Sequence, residues 1–142
     1  MGRTYQSIVV DAPADEVWEI LRDFHDLSWA PDVVESAEAL GDGRPDEPGA
    51  RRRLNGVFEE TLLELSDLDR RLRYSIDDRP SPVSSDEVSH YVGTVSVHPV
   101  TDSGASFVEW SSRWDGGAGE AVEFCHGIYV ALLGSLKDHF EG

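Results

Sequence analysis

The chain has one cysteine, Cys125, and one lysine, Lys137. A single thiol excludes an internal disulfide and fits a reducing compartment, so a cytoplasmic location is the expectation. Cys125 falls on an apolar helical stripe, where a free cysteine behaves as a small hydrophobe. No run approaches the roughly eighteen uncharged apolar residues of a membrane span. The first residues, MGRTYQ, lack an apolar core followed by a cleavage site, which reads against a secretory signal. His25, His90, His98, His126 and His139 form no H-x-H, H-x-x-E-H or H-E-x-x-H pattern, and no metal is expected. There is no G-x-S-x-G elbow, phosphate loop or G-x-G-x-x-G, and no cofactor is called for. Cations are scarce as well: 12 Lys and Arg stand against 28 Asp and Glu, for a net charge of -16. A field of that sign repels phosphate backbones and argues against nucleic acid as a partner. A high-salt cytoplasm and a basic protein partner would both suit such a surface, and composition does not separate them.

What is present is one domain's worth of chain, residues 1–142. Its organising element is the last stretch, 118–140. Val122, Cys125, Tyr129, Leu132, Leu136 and Phe140 recur every three or four residues, one stripe of a long helix. Ala121, Phe124, Ile128 and Leu133 widen the stripe, and Gly116, Gly117 and Gly119 turn the chain ahead of it. Upstream, 4–11 reads as a strand and 13–23 as a short helix, with Pro13 in its first turn. Residues 24–31 read as a loop or second short helix, 33–40 as a strand and 41–49 as a polar loop. Alternation then marks strands at 70–77, 88–100 and 107–114, with 78–85 a Pro- and Ser-rich connection. Inward faces are expected to carry Leu72, Tyr74 and Ile76; Tyr91, Gly93, Val95 and Val97; and Val108, Trp110, Ser112 and Trp114. Six or seven strands joined by short turns make an antiparallel sheet, and one long helix closes its core, an α+β arrangement.

Residues 50–65 carry a hairpin signal around Asn55-Gly56, which fits a two-residue type I′ turn. A turn that tight sets Leu54 against Val57, Arg52 against Glu59 and Arg51 against Glu60. The face with Leu54, Val57, Thr61, Leu63, Leu65 and the Arg52–Glu59 pair is the more apolar and is expected inside. A longer turn would exchange the faces, because a one-residue slip flips every side chain.

The stretch SIVVDAPADEVWEILRDF, followed by Trp29 and Pro31, resembles the opening of the START-like, Bet v 1-like superfamily. Within it the chain is most similar to the bacterial polyketide cyclase/dehydrase-type group, including MxaD-like proteins. GARRRLNGVFEETLLEL, RRLRYSIDD, HYVGTVSVHPV, SFVEWSSRWD and HGIYVALLGSLKDHF follow in the family's order. The resemblance implies a helix-grip fold: a curved antiparallel sheet around a C-terminal helix, with a cavity between. It implies an apolar small-molecule ligand, and in some members cyclase or aromatase activity. Many relatives carry a polar residue, often histidine, between the Trp and the Pro. Here it is Ala30, which removes one acid/base candidate.

Candidate ligand-binding residues are therefore Trp29, Arg52, Glu59, Tyr74, Tyr91, Trp110, Trp114, Phe124 and Tyr129. Aromatic walls with a few polar groups suit an apolar or aromatic ligand with one or two hydrogen-bonding handles. Arg52, Glu59 and Tyr74 are the catalytic candidates if the chain is an enzyme, since an Arg/Glu pair and a phenol could polarise a carbonyl for a cyclase or dehydratase. The partner expected is a small apolar or aromatic molecule, and homodimerisation through a sheet edge stays open.

Overall fold

The computed structural model describes residues 2–80, 84, 87–117 and 119–141. The elements run β1 (Gly2–Val10), α1 (Ala14–Leu21), β2 (Ala37–Leu40), β3 (Arg51–Leu54), β4 (Phe58–Ser66), β5 (Arg71–Asp78), β6 (Val88–Pro99), β7 (Ser106–Gly116) and α2 (Gly119–Glu141). Seven strands form one antiparallel sheet in the order β1-β7-β6-β5-β4-β3-β2. Period-two alternation places Leu72, Tyr74 and Ile76 of β5 in the core, with Tyr91, Val95 and Val97 of β6 and Val108, Trp110 and Trp114 of β7. From the other side α2 buries Ala121, Cys125, Tyr129, Leu132, Leu133 and Leu136, and it packs along β1. This is the helix-grip arrangement: one amphipathic helix held by the concave face of a sheet.

Bulges give the sheet its curl. Register shifts fall at Glu59/Glu60 and Leu62/Glu64 between β4 and β5, and at Ser89/Val92 between β6 and β7. At the last of these His90 takes a φ of 55°, a left-handed backbone. Each bulge adds a residue to one strand, bends it and increases the local twist. The short helix α1 rests against β6 and β7. Pro13 precedes it in extended conformation, and Asp15 and Glu16 occupy its positive first turn. Trp18 Nε1 donates to Asp67 Oδ1 at 2.8 Å, and Arg22 joins Asp67 at 2.9 Å, fixing α1 to the β4–β5 turn.

Residues 24–31 take the loop alternative, a series of turns without a second helix. Two local readings change. The strand expected over 33–40 is only Ala37–Leu40, because the Val33 and Val34 amides donate to Ala30 O and turn the chain. The 78–85 connection lies partly outside the described residues, as does Ala118 at the expected helix start.

The second change is in the hairpin. Asn55 and Gly56 adopt the left-handed φ values, 53° and 70°, that an Asn-Gly turn requires. Yet Leu54 pairs with Phe58, so Val57 is an extra residue in the loop. The register lies one residue beyond the tight-turn reading: Arg52 pairs with Glu60 and Arg53 with Glu59, in place of Arg52–Glu59 and Arg51–Glu60. The inward face of β4 is accordingly Phe58, Glu60 and Leu62, while Val57 and Leu63, expected inside, are 48% and 47% exposed. Tertiary contacts select this register. Asn55 Oδ1 accepts from the Glu35 and Ser36 amides at 2.7 and 3.2 Å, and its Nδ2 donates to Val33 O at 3.1 Å. Phe58 stacks on Phe124 of α2, with centroids 6.5 Å apart.

Candidate functional site

Between the concave face and α2 lies a pocket of about 230 Å³. The sheet contributes Arg52, Leu54, Phe58, Glu60, Tyr74, Ile76, Tyr91 and Trp110, one or two inward residues from each of five neighbouring strands. The helix contributes Phe124, Cys125, Ile128, Tyr129 and Leu132, and Leu27, Val33, Val34 and Asn55 complete the wall. The surface is mostly carbon. Its side-chain polar atoms fall into two main groups, an ion pair and a chain of phenols.

The ion pair is Arg52–Glu60, with side chains 7% and 6% exposed. Glu60 Oε1 sits in the fork of the guanidinium, 2.7 Å from Nε and 2.6 Å from one terminal nitrogen. The other terminal nitrogen donates to Phe24 O at 3.1 Å, and the guanidinium carbon lies 3.8 Å from the Phe24 ring centroid. Carbonyl and ring together hold the arginine in one place. Burial pushes the Glu60 carboxyl above the usual carboxylate range, against the opposing charge and hydrogen bond of Arg52.

The phenol chain begins at Trp110. Its indole Nε1 can only donate, and it donates to Tyr74 Oη at 2.9 Å. Tyr74 Oη lies 2.9 Å from Tyr129 Oη, and Tyr129 is bonded in turn to Tyr91 Oη. Stacking supports the chain, with Trp110 on Tyr129 at 5.2 Å and Tyr91 on Trp114 at 5.4 Å. Burial holds all three phenols well above their ordinary range, so they remain protonated. The Cys125 thiol is also raised by burial, only partly offset by Tyr91 and Arg79, which keeps it neutral and a poor nucleophile. Backbone chemistry makes room for Tyr74. Its partner on β6 is Gly93, and a Cβ there would stand 2.3 Å from Tyr74 Cζ.

Of the residues singled out from sequence, Arg52, Tyr74, Tyr91, Trp110, Phe124 and Tyr129 meet at this pocket. Glu59 does not: the register slip turns it to the outer face, where it faces Arg51 at 3.4 Å and Arg53 at 3.6 Å. Trp29 is buried behind the wall, its Nε1 donating to Asp26 O at 3.2 Å, because the 26–30 turn folds the indole back. Trp114 lies two inward positions beyond Trp110 along β7, enclosed by Tyr91, Gly2 and Gly117. Glu60 is not among the candidates; the sequence reading pairs it with Arg51 on the face that only a longer turn would bring inside, and the structure brings it inside against Arg52 instead. Sequence reasoning also missed Asn55, read there as a turn residue alone. Ala30 is fully buried between its turn contacts. Among the described residues no group of three or more His, Cys, Asp or Glu could hold a metal ion, and no helix is long and apolar enough to cross a membrane.

Comparison with known proteins matches this geometry. The chain is 47% identical to a structural-genomics protein from Nitrosospira multiformis, over 97% of this chain and 95% of that one, with a TM-score of 0.95. It is 29% identical to XoxI from Bacillus cereus, over 99% of this chain and 96% of that one, with a TM-score of 0.81. A protein of Bacillus thuringiensis gives 29% identity over 99% of this chain and 100% of the other, also with a TM-score of 0.81. No curated protein matches the chain. The family model described as polyketide cyclase / dehydrase and lipid transport matches residues 1–141. With that match spanning nearly every residue, and the helix-grip fold beneath it, the chain belongs to the polyketide cyclase/dehydrase and lipid transport family.

Proposed function

We propose that this protein holds a small apolar or aromatic molecule in the pocket between sheet and helix, non-covalently and without a cofactor. The observation that carries this reading is the pocket itself: about 230 Å³, walled by aromatic and aliphatic side chains, with its side-chain polarity concentrated in the Arg52–Glu60 pair and the phenol chain. An apolar site of roughly 150 Å³ accommodates benzene, so the ligand is on the scale of one substituted ring or a short chain. Trp110, Tyr74 and Tyr129 are tied to one another before any ligand arrives, which lowers the ordering cost of binding. Native mass spectrometry of the purified protein, followed by denaturing extraction, tests the reading. A stoichiometric small molecule released on denaturation is the expected result. An apo mass, together with no binding of single-ring probes at millimolar concentration, would sink it.

A second reading, acid–base chemistry of the cyclase or dehydratase kind, draws support from the position of Glu60. A buried carboxyl with a raised pKa beside a pocket is the sort of group that delivers a proton to a bound carbonyl. It predicts turnover of polyketide-like carbonyl compounds that Glu60→Gln abolishes while binding persists. Binding without turnover by the native protein would leave the carrier reading alone.

A further inference from the structure

The polar atoms around the pocket differ in what they have left to offer. Glu60 Oε1 is taken by both nitrogens of the Arg52 fork. Arg52 spends a further N–H on Phe24 O and has one face covered by the Phe24 ring. Each phenol is engaged with a neighbour, and Trp110 feeds its only proton into the chain. Glu60 Oε2 is different. It has no hydrogen-bond partner among the described residues, and it is not one of the atoms sealed from solvent without one. Glu60 lines the pocket and is only 5% exposed, so the exposure left to this oxygen is assigned to the pocket side.

A buried carboxylate oxygen with free lone pairs needs a donor. Within the pocket that donor comes from the occupant. A carboxylate ligand would meet Glu60 as a like charge, and a plain hydrocarbon would leave Oε2 unmet. An ammonium gains little, because Arg52 already neutralises the pair. A neutral hydroxyl on a small ring supplies what is missing and presents an apolar body to the remaining walls.

Resting on the carrier reading above, we infer that the pocket selects neutral phenols or small aryl alcohols, bound with the ligand hydroxyl donating to Glu60 Oε2. Hydrogen bonds to ionised acceptors are the strong ones, and their loss leaves a buried charge unmatched. The preference for a ligand with the hydroxyl over its twin without one is therefore about tenfold or more.

The test titrates the full chain at neutral pH with para-cresol, toluene and acetophenone by ligand-observed NMR. Para-cresol is expected to bind about tenfold more tightly than toluene, and acetophenone no better than toluene. Glu60→Gln is the isosteric inversion: Arg52 retains the amide oxygen, and the amide N–H then faces the pocket. In that variant the cresol preference should disappear and acetophenone should gain. Equal affinity of the native protein for cresol and toluene overturns the inference and leaves the carrier reading standing. Tighter binding of acetophenone than cresol by the native protein puts a proton on Oε2 and overturns it too. Failure of all three probes overturns this inference, and together with an apo mass in native mass spectrometry it removes the carrier reading as well. Because the native comparison needs no variant, a Glu60→Gln chain that failed to fold would not rescue the idea.

Discussion

The two faces of the β3–β4 hairpin hold the same chemistry in different surroundings. Outside, Glu59 lies between Arg51 and Arg53, with arginine side chains 46% and 35% exposed. Inside, one residue along, Arg52 and Glu60 are 7% and 6% exposed and meet at 2.6 Å. Water solvates the outer charges whether or not they pair, so that network adds little, about 0–1 kcal/mol. The inner charges have lost their water, so each depends on the other. The difference separates a solubilising surface from a site. Residue type does not set the role; the direction in which the side chain points does.

Removing one partner from each face should widen the contrast. Glu60→Ala strands a buried guanidinium and should lower unfolding stability by about 3–5 kcal/mol. Glu59→Ala should cost about 0–1 kcal/mol. Urea denaturation of both variants checks this, and equal losses would mean that the two faces are not distinct. A second partner change sharpens the point: replacing Arg52 and Glu60 together by Met and Leu should recover most of the Glu60→Ala loss.

Next in size is the wall. Trp110→Ala removes a stacked indole and the donor that anchors Tyr74, and should cost about 3–5 kcal/mol and weaken ligand binding. Glu64→Ala, which severs pairs with Arg71 and Arg73 away from the pocket, should leave binding unchanged. Comparable binding losses from the two would contradict the assigned faces. Tyr129→Phe deletes the hydroxyl between Tyr74 and Tyr91 and should destabilise by about 1–3 kcal/mol, read by thermal unfolding. No change would mean that the phenols are not coupled.

The smallest effects concern pH, and here the two environments differ in sign. Glu60 has a raised pKa in the folded chain, so the folded state holds its proton more tightly than the unfolded one. Its contribution to stability is full below the unfolded value of about 4.3 and is lost as pH rises through the folded pKa. Asp67 is lowered by hydrogen bonds from Arg22 and Trp18. Its contribution is present above the unfolded value of about 3.9 and is lost as pH falls through the folded pKa. Half-exposed as it is, Asp67 should account for well under about 1 kcal/mol. In a series of denaturation curves against pH, Glu60→Gln should flatten the fall on the alkaline side of about pH 4.3. Asp67→Asn should flatten the acid side, and a shared slope change in both variants would refute the assignment.

Much of the fold was legible because periodicity reports which face is buried. The helix stripe through Cys125, Tyr129, Leu132 and Leu136 and the alternation through Tyr74, Tyr91 and Trp110 are properties of the sequence itself. The hairpin register was not legible, for a physical reason. Arg51-Arg52-Arg53 opposite Glu59-Glu60 makes oppositely charged pairs in either register, so local pairing is nearly indifferent. The choice is made by contacts distant in sequence, Asn55 with 33–36 and Phe58 with Phe124, which no window around the turn contains. Glu59 and Glu60 exchanged roles on that account. Trp29 and Trp114 misled differently: each is aromatic and inward, but burial alone does not say whether a ring meets the pocket or another side chain.

The close approach of Gly93 to Tyr74 constrains the order in which this sequence can diverge. A side chain at 93 would occupy the space of the Tyr74 ring, so the two positions are not independent. Shrinking residue 74 first opens the pocket and severs the bond from Trp110, leaving a folded chain with altered contents. Position 93 is then free to change. The opposite order passes through a steric conflict in the middle of the sheet. Variation at 93 should therefore follow variation at 74 along any lineage, and a glycine there marks chains that still keep the ring.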